Sequence, residues 1–396
     1  VQRAQPIEAV GTYAAEFAPD LDLRAASRLE LTYSYPNGDR SRIDRVLPYL
    51  DVQVGGNAVA GYALPRSAVV ASLRDGATVL GTGAATAGDD QAFDARLEAA
   101  GRPVVIAAGR TVEAEFEARR VTLTADDLAI RIARGPEATT IEGRGPVSTA
   151  LAVRVVGGNG QARNVAATTD AGGAWRLALP GGIDGLGGTS ATVAFLDGEG
   201  HRQWALARIA RLTAYVGQGR VALETMPLAA ARLTLAAAGG AAVGEATAST
   251  DTAGRAEAAL GAAGAAPAAG QVVGAVIGAE TATMTVADLR LALDVGRSAV
   301  TGRVPVGAGA AGRLAQLRLW PRDGGGAVNV AVRTDPDGAF TLLTTDPPGF
   351  GTPGASLARY GRVELVHTDP AGHRTVAEAT VRIAVFVPYL VRGARR

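Results

Sequence analysis

The sequence predicts an all-β chain of tandem two-layer sandwiches, each about 81 residues long and arranged as a rod. Three observations carry that expectation. A turn-and-strand motif returns at a fixed period, alternation with period two flanks the turns, and no long stretch shows helical periodicity. At 396 residues the chain also exceeds what one hydrophobic core fills, so several domains are expected.

The motif reads TTDAGGAWRLAL at Thr168 to Leu179, RTDPDGAFTLLT at Arg333 to Thr344 and STDTAGRAEAAL at Ser249 to Leu260. A further copy, PIEAVGTYAAEF, runs from Pro6 to Phe17, and a degenerate one from Thr86 to Leu97. Each of the first four places a turn glycine before alternating apolar positions. Gly11, Gly173, Gly254 and Gly338 are separated by 162, 81 and 84 residues, so the first gap is two periods. A second turn follows downstream, as YPNGDR at Tyr35 to Arg40, DGEGHR at Asp197 to Arg202 and DPAGHR at Asp369 to Arg374. Period-two runs on both sides of such turns are the hairpin signal. A third element opens each unit: Tyr49 to Val54, Ala129 to Ala133, Leu212 to Val216 and Leu289 to Val295.

Each unit therefore carries about seven short strands with closely spaced turns, the immunoglobulin-like pattern. The chain divides into a partial unit at 1–47, units at 48–126, 127–210, 211–287 and 288–384, and a tail at 385–396. Asp170, Gly173, Trp175, Leu177, Leu179 and Pro180, with Asp197, Gly200 and His201 in the later hairpin, resemble the Ig-like repeats of bacterial adhesins and surface fibres. The resemblance spans most of the chain and implies a secreted or surface-displayed protein. The third unit departs from it. Ala256 replaces the aromatic and the late hairpin is short around Gly278 to Thr281, which predicts a looser core there.

Composition excludes several kinds of chemistry. All 39 basic residues are Arg, balanced by 38 acids for a net charge of +1, unlike the concentrated basic face of a nucleic-acid binder. Without Lys there is no Schiff base, P-loop lysine or Lys isopeptide crosslink. Without Cys there are no disulfides, thiolate nucleophiles or Cys-type zinc sites. No GxSxG elbow accompanies the histidines, and His201 and His373 sit in equivalent turns, where solvated side chains are expected. The chain is expected not to be an enzyme, and no cofactor motif is found. The uncharged stretch from Ala258 to Ala279 is broken by Gly and Pro and is not expected to span a membrane. Acidic turn residues Asp126, Asp127, Asp170 and Asp335 are weak calcium candidates, since each turn offers only one or two carboxylates; capping of the turn backbone is favoured. Aromatics Trp175, Trp204, Trp320, Phe340 and Phe386 lie on alternating strands and are expected in cores rather than on a carbohydrate platform.

The two ends carry the functional expectation. Residues 1–47 align with only the second half of a unit, which leaves an apolar face and an unpaired edge. At the other end AVFVPYLVR, Ala384 to Arg392, resembles the opening strand at Leu47, LPYLDVQVG. Donor-strand complementation follows as a hypothesis: Val385, Phe386, Val387, Tyr389 and Leu390 of one copy complete the half-domain of the next, received by Tyr13, Phe17, Leu29, Leu31 and Tyr33. The chain then forms a head-to-tail homopolymer, a structural subunit of an extracellular filament or surface fibre. Two alternatives remain open. One is a monomeric adhesin stalk contacting glycans or other surface proteins, through loops around Tyr62 to Arg66; the other is a non-catalytic accessory region of a larger secreted enzyme. Val1 is either a processed N-terminus or a fragment boundary.

Overall fold

The computed structural model describes residues 23–35, 37–134, 138–260, 265–305, 314–344 and 357–382. The described residues are strands and turns apart from one short 3-10 helix, Leu357–Arg359. The alternation read from the sequence is realised directly. Ala150–Val156 buries Leu151, Val153 and Val155 and exposes Ala150, Ala152 and Arg154. Gly173, Gly254 and Gly338 in the recurring turn have φ of +77°, +75° and +84°, a region that a side chain disfavours. The architecture is tandem Ig-like β-sandwiches, grouped into two compact units: residues up to Ile183 with Ser190–Ala207, and Asp184–Thr189 with residues from Arg208 onward.

In the first unit, Tyr49–Gln53, Ala58–Tyr62 and Ala92–Arg96 form one side of a sandwich. Arg119–Thr124, Thr111–Phe116, Ala68–Asp75 and Thr78–Thr86 form the other. The next sandwich repeats the plan, with Ala129–Arg134, Thr139–Arg144 and Ala174–Ala178 on one side. Ala162–Thr168, Ala150–Val156, Ser190–Leu196 and Arg202–Arg208 make its other side. The two sandwiches are fused through their edges. The closing strand Arg202–Arg208 pairs in parallel with the opening strand Tyr49–Gln53, matching Arg202 to Asp51, Gln203 to Val52 and Trp204 to Gln53. The result is one seven-stranded sheet that removes two exposed edges.

The second unit is built the same way. Its opening strand Arg211–Tyr215 pairs in parallel with the closing strand Arg374–Thr380, matching Thr213 to Arg374 and Tyr215 to Val376, again within a seven-stranded sheet. The 81-residue repeat is thus the sandwich, and the structural repeat is a fused pair of them.

The third sandwich corrects the expectation of a looser core. In the other three, a glycine lies directly opposite the aromatic of the motif: Gly61 opposite Phe93, Gly143 opposite Trp175 and Gly302 opposite Phe340. There Leu223 takes the glycine's place and Ala256 the aromatic's. Leu223 is fully buried, so bulk moves from one strand to its neighbour and the volume is kept.

Candidate assembly interface

Of the expected acceptor residues, Leu29, Leu31 and Tyr33 fall on a two-stranded hairpin. Arg28–Ser34 and Arg40–Val46 pair antiparallel, with Leu31 opposite Ile43 and Tyr33 opposite Ser41, as a two-stranded sheet. Alternation sets Leu29, Leu31, Tyr33 and Ile43 on one face. Leu29 and Leu31 are half-buried, while Tyr33 and Ile43 remain 38% and 48% exposed. Tyr33 and Tyr35 meet edge to face at 4.7 Å.

The opposite face is charged. Arg28 bonds Asp44 at 3.2 Å, and Arg42 reaches Glu30 and Asp44 at 3.0 and 3.1 Å. The Arg42 and Arg28 guanidiniums hold the Asp44 carboxyl below its ordinary range. Gln91 fastens the hairpin's end to the first sandwich: its amide oxygen accepts from Val46 N–H at 3.1 Å, and its amide nitrogen donates to the carbonyls of Val46 and Ala63 at 3.2 and 3.0 Å. Among the described residues no strand pairs with the outer edge of Arg40–Val46. Tyr13 and Phe17, and the donor residues Val385, Phe386, Val387, Tyr389 and Leu390, lie outside the described residues.

The parallel joint is the feature that sequence reasoning missed, and the histidines are its key. Both were expected in solvent; His201 and His373 are instead 7% and 4% exposed. Nδ1 of His201 accepts the backbone N–H of Leu50 at 3.3 Å, and Nδ1 of His373 accepts that of Leu212 at 3.2 Å. Each thus satisfies a buried backbone donor at the start of an opening strand, where the ladder has no carbonyl to offer. The turn acids hold the backbone at both histidines: Asp197 Oδ1 accepts the main-chain N–H of His201 at 2.8 Å, and Asp369 Oδ1 that of His373 at 2.9 Å.

Beyond the histidines, Val54 N–H donates to the Trp204 carbonyl and Val216 N–H to that of Val376, at 2.8 and 2.9 Å. In the first unit Arg202 Nη1 grips both oxygens of Asp51, at 3.1 and 2.8 Å. The Gln203 side chain bonds Asp126 through its backbone N–H and its Oδ2, both at 2.7 Å. The shared Gly-His-Arg at 200–202 and 372–374 was the available signal. It pointed to a repeat but not to a partner strand more than 150 residues earlier.

Burial pushes the His201 imidazole below its usual value, against the opposing pull of Asp197 and Glu199. The unfolded chain therefore binds this proton first, and stability is lost as pH falls through the ordinary value of 6.5 toward the depressed folded one. Above 6.5 the neutral ring keeps its lone pair for Leu50 and the contribution is complete. His201→Ala is expected to cost ~1–3 kcal/mol at pH 7.5 by orphaning that N–H, and to flatten the first unit's loss of stability between pH 7 and 5. Melting curves across that range check both; a variant with unchanged stability and unchanged slope contradicts the assignment.

The weak calcium candidates make local contacts in the described residues. Asp170 Oδ1 accepts from the N–H groups of Gly172 and Ala174, and Asp335 Oδ1 from that of Ala339, as turn caps. Asp126 is held by Gln203, and Asp127 pairs with Arg144 at 3.1 Å. No group of three or more His, Asp or Glu among the described residues is placed to hold a metal ion. Trp175 and Phe340 lie in cores, but Trp204 and Trp320 are half-buried, with arginine guanidiniums over their rings at 6.0 and 4.6 Å. Phe386 lies outside the described residues. Tyr62 stacks on Tyr49 at 5.7 Å beside an open cleft of about 550 Å³ that Asp51 also lines. The Tyr49 phenol is pushed up to about 12 by burial and by the Asp51 charge. No helix of the described residues is long and apolar enough to cross a membrane.

No protein-family model matches the chain, and no curated protein does. Among solved structures it is similar to a tetra-tandem repeat in the extending region of a large adhesion protein, at 16% identity over 85% of this chain and 99% of that one, with a TM-score of 0.17. A bacterial ice-binding adhesin is similar at 14% identity over 64% and 96%, with a TM-score of 0.16. A pullulanase from Anoxybacillus sp. LM18-11 is similar at 14% identity over 39% and 25%, with a TM-score of 0.17.

Proposed function

We propose that this chain is a non-catalytic structural subunit of an extracellular filament or cell-surface fibre, joined head to tail by strand addition between copies. The observation that supports it is the parallel joint, which occurs once in each unit between an opening strand and a closing strand of fixed type. The N-terminal hairpin carries a closing strand of that type, Arg40–Val46, after an Asn-Gly turn, and its outer edge has no partner among the described residues. The sequence VPYL at Val387 to Leu390 matches LPYL at Leu47 to Leu50, an opening strand.

Carrying the joint's register over places Val391 of one copy opposite Arg40 of the next. Leu390 N–H then falls beside Asp39, which holds the sequence position that His201 holds in the first joint. Leu29, Leu31, Tyr33 and Ile43 offer the apolar face that the rest of the donor segment covers. Main-chain hydrogen bonds supply affinity, and the alternating side chains supply register. A contact of this kind between different ends of the molecule propagates unless it closes into a ring.

A second reading, a stalk that binds glycans as a monomer, is favoured by the Tyr49–Tyr62 stack beside Asp51, since stacked phenols with a neighbouring carboxylate suit a sugar ring. Sedimentation velocity of the purified chain over a wide concentration range separates the two. Species that grow with concentration support the filament; one monodisperse species throughout contradicts it and leaves the stalk.

A further inference from the structure

The two joints share the arginine of the closing strand but differ in what faces it, and that difference leaves a charge without its partner. In the first unit Arg202 lies opposite Asp51 and binds both carboxylate oxygens. In the second unit the same register puts Arg374 opposite Thr213. Thr213 brings no charge, and the described residues give the half-buried Arg374 side chain neither a hydrogen bond nor an ion pair. Two more guanidiniums act on the same space. Arg211 is engaged by the Gly187 carbonyl at 2.9 Å and by Glu224 at 3.3 Å, and Arg318 lies 4.0 Å from Glu364. Burial and the repulsion of Arg211 and Arg318 lower the Arg374 guanidinium to about 10, against the smaller pull of Glu224 and Tyr215. An arginine half-withdrawn from water, beside like charges and without an acceptor, is costly as it stands.

We propose that Arg374 is the anchor of a carboxylate-binding site on the outer face of the second unit's sheet, the bound carboxylate taking the place that Asp51 fills in the first. Guanidinium and carboxylate match in planar two-bond geometry, which a single spherical anion does not reproduce. Thr213 offers a hydroxyl where the first unit has the Asp51 carboxylate. The first unit, whose arginine is already satisfied, is an internal control within the same chain.

Calorimetric melting of the full chain at pH 7 tests the site, with acetate and D-glucuronate as probes and chloride at equal ionic strength as reference. The expected result is a saturable upward shift of the second unit's transition by ~2–4 °C with either carboxylate and none with chloride. Thr213→Asp, which rebuilds the first unit's pair, is expected to raise that transition without ligand and to remove the response. Arg374→Gln is expected to remove the response alone, and should it fail to fold, Thr213→Asp still decides. Saturation by glucuronate at lower concentration than acetate supports a site for a uronic acid; equal saturation supports one for the bare carboxylate. An equal shift with chloride, or a full carboxylate response surviving in Thr213→Asp, overturns the proposal.

Discussion

Deleting residues 385–396 is expected to abolish concentration-dependent assembly while leaving both melting transitions in place. The truncation removes the segment that resembles an opening strand and none of the strands in either seven-stranded sheet. Each joint in the structure combines a short run of main-chain pairing with buried apolar side chains: Leu50 and Val52 in the first unit, Leu212 and Ala214 in the second, all at most 1% exposed. A donor of the sequence VFVPYL brings a comparable apolar load. Burying even three such side chains contributes several kcal/mol before ordering costs, so losing them removes the association rather than weakening it slightly. Added peptide spanning 384–392 is expected to cap the hairpin of the full-length chain and shorten its assemblies. Sedimentation checks both; assemblies of unchanged size in the truncated chain contradict the account.

The second large effect is on stability. Gly143→Leu is expected to destabilise the first unit by more than ~3 kcal/mol. A Cβ at Gly143 would collide with the carbonyl oxygen of Ala129 on the neighbouring strand and sit 3.0 Å from Cε2 of Trp175 across the pair. Overpacking against backbone cannot be relieved by a rotamer change. The third sandwich shows the permitted alternative, since Leu223 at the glycine's position faces Ala256. Adding Trp175→Ala to Gly143→Leu relieves only the contact with the ring and leaves the Ala129 collision, so it is expected to recover a minor part of the loss, although Trp175→Ala alone also destabilises by opening a cavity. A double-mutant cycle by chemical denaturation measures the coupling. Additive losses would show that the glycine and the aromatic are not a volume pair.

The sandwiches were legible because a turn glycine and period-two alternation are local signals, and both recur along the chain. The edge fusion was not. It pairs Asp51 with Arg202 and Thr213 with Arg374, and nothing in a strand's own alternation says which distant edge it meets. His201 and His373 were misplaced in solvent for the same reason: their neighbours in sequence are turn residues, whereas the N–H groups they accept belong to Leu50 and Leu212. Trp204 and Trp320 were placed in cores because aromatic residues on strands usually go there. Their strands, however, belong to the two seven-stranded sheets, one in each unit, where Arg202 lies over Trp204 and Arg362 over Trp320. The looser third core was inferred from Ala256 and the short hairpin around Gly278 to Thr281, and Leu223 could not be paired with Ala256 until the register was known. Of the proposed assembly site, the hairpin's apolar stripe and the resemblance of the tail to an opening strand are legible in the sequence. The parallel register proposed between them is carried over from the two joints inside the units.

That register is the claim on which the assembly account rests, and a disulfide tests it most directly. The chain contains no Cys, so a chain carrying Arg40→Cys and Val391→Cys can form only the engineered bond. Mild oxidation of the assembled double variant is predicted to give a ladder of covalent multimers on a denaturing gel, with no ladder from Arg45→Cys paired with Val391→Cys. A ladder from the second pair but not the first, or oxidation that yields only cross-linked monomer, would contradict parallel strand addition between copies.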